Sequence, residues 1–521
     1  MSEGSDRPEV VITPESTEVT SGNEVQEKLI VAARVFSDLL KPTFGPRGLD
    51  KMMFKTDGTT SVTNDGAKIV AELLVKHPAA KMMVSMAESQ EEACGDGVTT
   101  TMLLCGALLI EANGLLRKGL HPLTLVDGYS TSFEVSKEQI LRDSIETEQA
   151  HLLSVSETAL SGKLAEGAIS IFPKMIVEAL STIYENRGEA RAEHVSMFKT
   201  GTGSIRDSRL VQGVILKKRV MMNDFPNHIE GARVACLDGD VKIKELTRGT
   251  ELKITKAEDL DSFVEVEKSR KNTIFQSIFN SGAKVLLCSG DIDKDIIHML
   301  TDSGILAIGN LDTSEIRNAS EATGSRVVDT VLDLEEGDLG FAGRVFWERM
   351  QDTDEVEDIF RIEECPSPGI LTIEIGGAGQ TATEEVIRGL YDSLRATSLA
   401  LNEQVLIGAG AIHSRMANAV RNAAETKGGK ERLAMEAFSR ALETIPSTLA
   451  ENGGGDPLDR VLELRAKSTS DSPWGISSNG DAWEVQGVWH PRSVIINSLE
   501  SATETAMGML RIDQVISSRG N

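Results

Sequence analysis

The chain has 521 residues, 40% of them apolar, and a net charge of −26 with histidine neutral. That length is more than one hydrophobic core serves and points to about three or four domains. The acid excess argues against non-specific nucleic-acid binding, which needs a basic surface, and 4% aromatics leave little to stack on bases. No apolar run reads as long enough to span a bilayer. The polar, acidic start, MSEGSDRPEVVITPES, is unlike a signal or transit peptide, so a cytosolic protein is expected. Cys94, Cys105, Cys236, Cys288 and Cys365 lie far apart without CxxC spacing. They are expected to be small buried residues in a reducing compartment, not zinc ligands or disulfides.

Residues up to about Asn23 read as extended or disordered. Glu24 to Leu40 carries a helical stripe of Val25, Leu29, Val31, Ala32, Val35, Phe36 and Leu39, stopped by Pro42. The turn TFGPRGLDKMM follows, in which Gly45-Pro46 is a loop signal that also lets backbone approach a ligand. A hairpin is expected around Asp57-Gly58. Asn64-Asp65-Gly66 then opens another helix, with Asp65 reading first as its N-cap. The stretch EEACGDGVTTTMLLCGALL, Glu91 to Leu109, holds the densest pattern in the chain. Gly95 and Gly97 bracket Asp96, and Thr99, Thr100 and Thr101 precede an apolar helix. Glycines can turn backbone N–H groups toward one point, and the helix adds its free donors and positive dipole end. A phosphate fits such a point, with Asp96 placed to hold an accompanying magnesium ion. An ordinary threonine-capped helix start has the same pattern, and no Lys-Ser/Thr follows to make a Walker A loop.

Helix continues from Pro122 to about Ile145, and LSVSETALSGKLAEG, Leu153 to Gly167, reads as the start of a different unit. Lys163 within it is by default a solvated charge. From about Val211 short strands take over. Leu246 to Gly282 is long and charged, with Leu260, Phe263, Val264, Ile274, Phe275, Ile278 and Phe279 on a helical stripe. It is either an ordinary amphipathic helix or an arm that projects. AKVLLCSGDI and GILAIGNL read as buried strands, each followed by helix. After a boundary at Pro366 and Pro368 comes the strand ILTIEIGGAGQ. Thr383 to Leu401 is then a helix burying Val386, Ile387, Leu390, Leu394 and Leu401. Asp392 lies off that stripe, where a solvated carboxylate is the usual occupant. LIGAGAIHSR is a second Gly-rich turn opening a helix. ENGGGDPLDRVLELRA has Asp456 as N-cap and Pro457 at the first helical position. Helix from Val494 to Leu510 and a strand from Arg511 to Ile516 close the chain.

Taken in order, TFGPRGLDKMM, VTNDGA, GDGVTTT, the distant GAGA turn, AENGGGDPLDRVLELRA and MLRIDQVI resemble the group II chaperonins, the thermosome of archaea and its eukaryotic cytosolic counterpart. The resemblance covers about Glu24 to Ile516. It implies a multidomain α+β/α fold with a mostly helical equatorial domain (1–142 and 404–521) and an α/β intermediate hinge domain (143–211 and 366–403). An α/β apical domain (212–365) would carry a helical protrusion at about 246–282, closing a built-in lid. It further implies an ATP- and magnesium-dependent chaperone, stacked as a homo- or hetero-oligomeric double ring, that encloses non-native polypeptides and has no nucleic-acid or membrane partner. By the same resemblance Gly45 and Pro46 form the first phosphate loop, Asp96 is the magnesium ligand, and Gly97, Thr99 and Thr100 cradle phosphates. Asp65 and Asp392 position and activate the attacking water, Lys163 senses the γ-phosphate, and Gly408, Ala409 and His490 lie near base and ribose.

Several residues depart from the family pattern. Val98 stands where a threonine is usual, Ala409 interrupts a triple glycine, and His413 and His490 occupy positions that are commonly acidic. Ile375 replaces an arginine before Gly376-Gly377, and the chain ends at Arg519-Gly520-Asn521 without a Gly/Met-rich tail. These features imply a divergent paralogue. They keep open a second reading, a weakly active or inactive structural subunit of a mixed ring. A third, a stand-alone metal-dependent phosphohydrolase built on Asp65 and Asp96, predicts an active monomer.

Overall fold

The structure, a computed structural model, describes residues 17–21, 23–54, 60–73, 75, 77–163, 166–222, 224–243, 257–351, 356–377, 380–467 and 472–518. The chain divides into two compact units, Met1–Ala165 with Gly389–Asn521, and Glu166–Arg388. The first unit is therefore built from both ends of the polypeptide.

Its centre is the helix Val98–Leu116, whose buried residues fall on every side: Met102, Leu103, Leu104, Cys105, Leu108 and Leu109 among them. By length and composition, with mean hydropathy 1.4, this helix is apolar enough to cross a membrane, which corrects the expectation that no such run exists. Burial of 67% of that window inside the protein accounts for its composition, since a helix packed on all sides has no polar face to keep. Around it lie Asn23–Leu40, Lys430–Leu442 and Arg492–Leu510, drawn from opposite ends of the sequence. Tyr129 on Pro122–Asp143 donates its hydroxyl to the Leu108 carbonyl at 2.7 Å and meets the Phe438 ring edge-on at 5.4 Å. A buried phenol with its polar tip satisfied adds apolar area without an unpaired group.

Around this core are small sheets. Lys51–Phe54 pairs antiparallel with Thr60–Thr63, and the expected turn at Asp57-Gly58 lies outside the described residues. Thr17–Ser21 pairs with Gln514–Ser518, and Val405–Ile407 with Trp489–Pro491. All five cysteines are free and buried.

The second unit holds a seven-stranded mixed sheet. His228–Leu237, Val285–Cys288 and Leu306–Ile308 run parallel, the last two wholly buried and each followed by helix, Lys294–Asp302 and Thr313–Thr323. Continuous burial on both faces is why those strands lack alternation. A three-stranded sheet centres on Leu371–Ile375, between Val195–Lys199 and Arg209–Val211. The charged segment forms the helix Ala257–Ser281; residues 244–256 and the side chains of Leu260 and Phe263 lie outside the description. Phe275 and Ile278 are buried as expected, but Val264 and Phe279 are exposed, so the apolar stripe seats only part of the helix.

Ala409 is one of three non-glycine residues with positive φ among those described, at 54°. A β-carbon in the left-handed region costs about 1–2 kcal/mol, against about 0.4–1 kcal/mol from the unfolded-state entropy gained on mutating to glycine. Ala409→Gly is thus expected to stabilise the protein by about 0.5–1 kcal/mol, read as a raised thermal midpoint. An unchanged or lowered midpoint contradicts the strain.

Candidate functional site

Segments from both ends of the chain, all in the first unit, converge on one cavity of about 500 Å³. The residues the sequence singled out, Gly45, Pro46, Asp65, Asp96, Gly97, Thr99, Thr100, Lys163, Asp392, Gly408, Ala409 and His490, all line it.

The helix Pro78–Cys94 ends on Gly95 and Val98–Leu116 begins after Gly97, both glycines left-handed, so Asp96 sits in a tight link between two helices. Its Oδ1 accepts from the Gly97 N–H at 2.7 Å, and Gln90 Nε2 donates to its carbonyl at 2.8 Å. Thr101, unlike its neighbours, turns inward and donates to the Gly97 carbonyl at 2.9 Å and meets Ser498 Oγ at 3.0 Å. Thr99 and Thr100 are left facing the cavity at the helix N-terminus, where free N–H groups and the dipole favour an anion.

Asp65 does cap the helix Gly66–Ala71, accepting from Ala67 N–H at 3.1 Å, and also lines the cavity. A β-carbon at Gly66 would overlap Thr99 Oγ1, so glycine there lets the Asp65 turn lie against the GDG helix. Asp65 thus serves as the expected N-cap and at the same time faces the cavity. The Gly45 loop is held from the other end of the sequence: Asn452 Nδ2 donates to the carbonyls of Lys41 and Phe44, each at 2.8 Å.

Lys163 and Asp392 correct their default readings as solvated charges. Asp392 is 6% exposed, and Lys163 Nζ donates to its Oδ2 at 2.7 Å. Burial raises the Asp392 carboxyl to about 7, with Asp65 and Glu91 adding to the rise and Lys163 opposing it. Burial works against the Lys163 ammonium, but Asp392, Asp96 and Asp65 outweigh it and hold its pKa above the ordinary value. Glu91, which the sequence reading passed over, also faces the cavity and is raised, chiefly by burial and by Asp65. Four carboxylates thus stand against a single ammonium.

The opposite end is uncharged. Strand pairing sets His490 across from Leu406, and Gly408 N–H donates to the Val488 carbonyl at 2.8 Å, closing the second Gly-rich turn around the cavity. Burial lowers His413 to about 3, helped by His490, and burial lowers His490 too, with Asp96 opposing. Both rings are neutral near pH 7. His413 Nδ1 and Trp483 Nε1 are buried without a hydrogen-bond partner among the described residues, and both residues line the cavity with Ile412, Ile476 and Val488. Unpaired buried nitrogens in an apolar wall suit a ligand that carries its own donors and acceptors. Trp483 was missed because nothing in the sequence around its short strand, Ala482–Glu484, forms a motif.

The comparisons with known proteins agree over the whole chain. Residues 36–519 match the TCP-1/cpn60 chaperonin family. The chain is 34% identical to thermosome subunit beta of Archaeoglobus fulgidus, an alignment covering 98% of this chain and 95% of that protein. It is 36% identical to a thermosome subunit of Methanopyrus kandleri over 98% and 95%, and 34% identical to thermosome subunit alpha of Halobacterium salinarum over 97% and 91%. With a match of that extent, and the family's motif residues gathered on one cavity, the chain belongs to the TCP-1/cpn60 chaperonin family.

Proposed function

We propose that this chain is a subunit of an ATP-driven, magnesium-dependent folding chaperone of the cytoplasm. The observation that carries the reading is the convergence of Asp65, Asp96, Asp392 and Lys163 on one cavity beside two Gly-rich turns. The residues fit a metal-bound nucleotide. A bare triphosphate would be repelled by Asp65, Glu91, Asp96 and Asp392, whereas the neutral histidine end accommodates base and ribose.

In this reading Asp96 holds magnesium, which supplies neutralisation of phosphate charge. Gly45, Pro46, Gly97, Thr99 and Thr100 bind phosphate oxygens, and Gly408, Ala409 and His490 bind the nucleoside. Asp65 orients the attacking water, Asp392 accepts its proton, and Lys163 offsets charge at the terminal phosphate. Phosphoryl transfer asks for little beyond such positioning and electrostatics. The same proposal divides the chain into equatorial (1–142, 404–521), intermediate (143–211, 366–403) and apical (212–365) domains, with the protrusion near 246–282 as lid. Like subunits would form a double ring, homo- or hetero-oligomeric, around non-native polypeptides.

A weakly active structural subunit is the second reading, favoured by strained Ala409 and the two neutral histidines at the nucleoside end. Phosphate release by the assembled protein separates the two. Asp392→Ala is expected to lower magnesium-dependent turnover by about 100-fold or more, the scale of a lost general base. Wild-type turnover no faster than this variant rejects the ATPase reading.

Because Asp392 must be ionised to accept a proton and burial holds it at about 7, kcat is expected to rise through neutral pH. It should level above about pH 8. A profile flat from pH 6 to about pH 8 removes Asp392 as the base.

Deleting residues 247–262 is expected to leave ATP turnover intact and abolish protection of a captured chain from added protease. Retained protection overturns the lid assignment.

A further inference from the structure

Asp392 is not alone on its helix in reaching the cavity's rim. Three residues on, along the same side of Gln380–Asn402, is Arg395. Its Nη1 donates to the Glu91 carbonyl at 2.8 Å and lies 3.6 Å from Glu91 Oε1. That carbonyl already accepts the Gly95 N–H at 2.8 Å, which ends the helix Pro78–Cys94. A guanidinium at this point meets the negative end of the helix dipole as well as an unsaturated carbonyl lone pair. The methylenes of Arg395 run over Gly95, where a β-carbon would overlap its Cδ, and Gly95 is left-handed with φ 65°. Glycine at 95 is thus required both by backbone conformation and by the arginine lying across it.

We infer that Arg395 is a positioning residue: it latches the Asp392 helix onto the turn that carries Asp96, fixing the spacing between the base and the proposed metal ligand. The inference rests on the reading of the cavity as an ATPase site. A second tether shows why this one matters. Ser393 Oγ lies 2.8 Å from Ser156 Oγ, buried, joining the same helix to Gln149–Leu160, the segment leading to Lys163. Ser393 and the Lys163–Asp392 pair therefore tie Asp392 to the lysine limb, and Arg395 ties it to the GDG limb. Removing Arg395 leaves the lysine and the base together while loosening both against Asp96.

The test compares Arg395→Met, which keeps methylenes over Gly95 but drops the hydrogen bond, with Arg395→Lys, which restores a cation. In the assembled full-length protein Arg395→Met is expected to lower kcat about tenfold with KM for ATP changed less than about twofold, because an ångström-scale misplacement costs rate and not binding. Arg395→Lys should recover much of the loss, and Glu91→Gln should cost less than Arg395→Met, since the shorter contact is to backbone. In the background of Asp392→Ala, adding Arg395→Met should cost nothing further, as expected when one residue acts through another. Wild-type kcat in Arg395→Met, a change confined to KM, no recovery with lysine, or additive losses each overturn the latch. Amide hydrogen exchange tests it independently of turnover: Arg395→Met should speed exchange in residues 92–97 and 389–397, and unchanged exchange there rejects it. Absent turnover in the wild-type protein would refute the ATPase reading, and the exchange result would still decide the latch.

Discussion

An excess of negative charge, enclosed, is the condition to which the rest of this cavity answers. Asp65, Glu91, Asp96 and Asp392 share it with one ammonium, Lys163. Carboxylates brought this close in a partly dry space cannot all ionise at ordinary cost, and burial with mutual repulsion lifts Asp392 and Glu91. Asp392 is relieved by Lys163, whose 2.7 Å contact keeps the most buried carboxyl from rising further, and Glu91 by Arg395, 3.6 Å away outside the cavity lining. The arrangement is stable as protein but unbalanced as electrostatics, which is the state expected of a site meant to receive a cation along with its anion.

Holding that charge in place is the task of the fold, and the fold meets it by bringing distant segments to one rigid helix. Val98–Leu116 is packed on every side, so its N-terminus, with Thr99 and Thr100, is fixed by the whole core of the unit. Gly66 allows the Asp65 turn to lie against Thr99, and Asn452 fastens the Gly45 loop from far along the chain. Functional groups set on such elements keep their spacing, whereas groups on free loops do not. The helix carrying Asp392 approaches from another direction, and its polar tethers, Ser393 to Ser156 and Arg395 to Glu91, add hydrogen bonds to the packing of its buried Leu390, Leu394 and Ala400.

What could be read in the amino-acid sequence follows that distinction. Gly95, Asp96 and Gly97 are adjacent in the chain, and their turn announces itself locally; so do the Asp65 cap and the Gly-rich turn before Ala411. Short continuous apolar runs, each followed by a helical pattern, likewise located the parallel strands Val285–Cys288 and Leu306–Ile308. Residue pattern alone failed where the partner is remote. Asp392 lies off its helix's apolar stripe and looked solvated, yet it is buried, because another segment of the chain covers it. Lys163 was indistinguishable from a surface lysine until Asp392 stood opposite. Their roles entered only through the resemblance to known chaperonins. Arg395 and Glu91 were invisible by either route: an arginine on a polar helix face and a glutamate in an acidic run are the commonest things in a chain with 80 acidic residues. The apolar composition of Val98–Leu116 exceeded what its sequence was read to hold, since burial of 67% of its window in protein and burial in lipid favour the same residues.

The two ends of the cavity obey different physics. At the ionic end, interactions are long-ranged and shared, so a change at Asp65, Glu91 or Lys163 alters the protonation of Asp392. At the other end His413 and His490 are held neutral by burial, and contacts there are short-ranged hydrogen bonds and apolar packing. A ligand spanning both would feel them separately. Of the departures from the chaperonin pattern that line the cavity, Ala409, His413 and His490 fall at the neutral end, whereas Val98 stands at the ionic end, at the start of the helix after Gly97. If the cavity holds a nucleotide as proposed, the three changes at the neutral end would act on which ligand is held and how tightly, and Val98 would remove one hydroxyl from the charged end while leaving its four carboxylates and Lys163 in place.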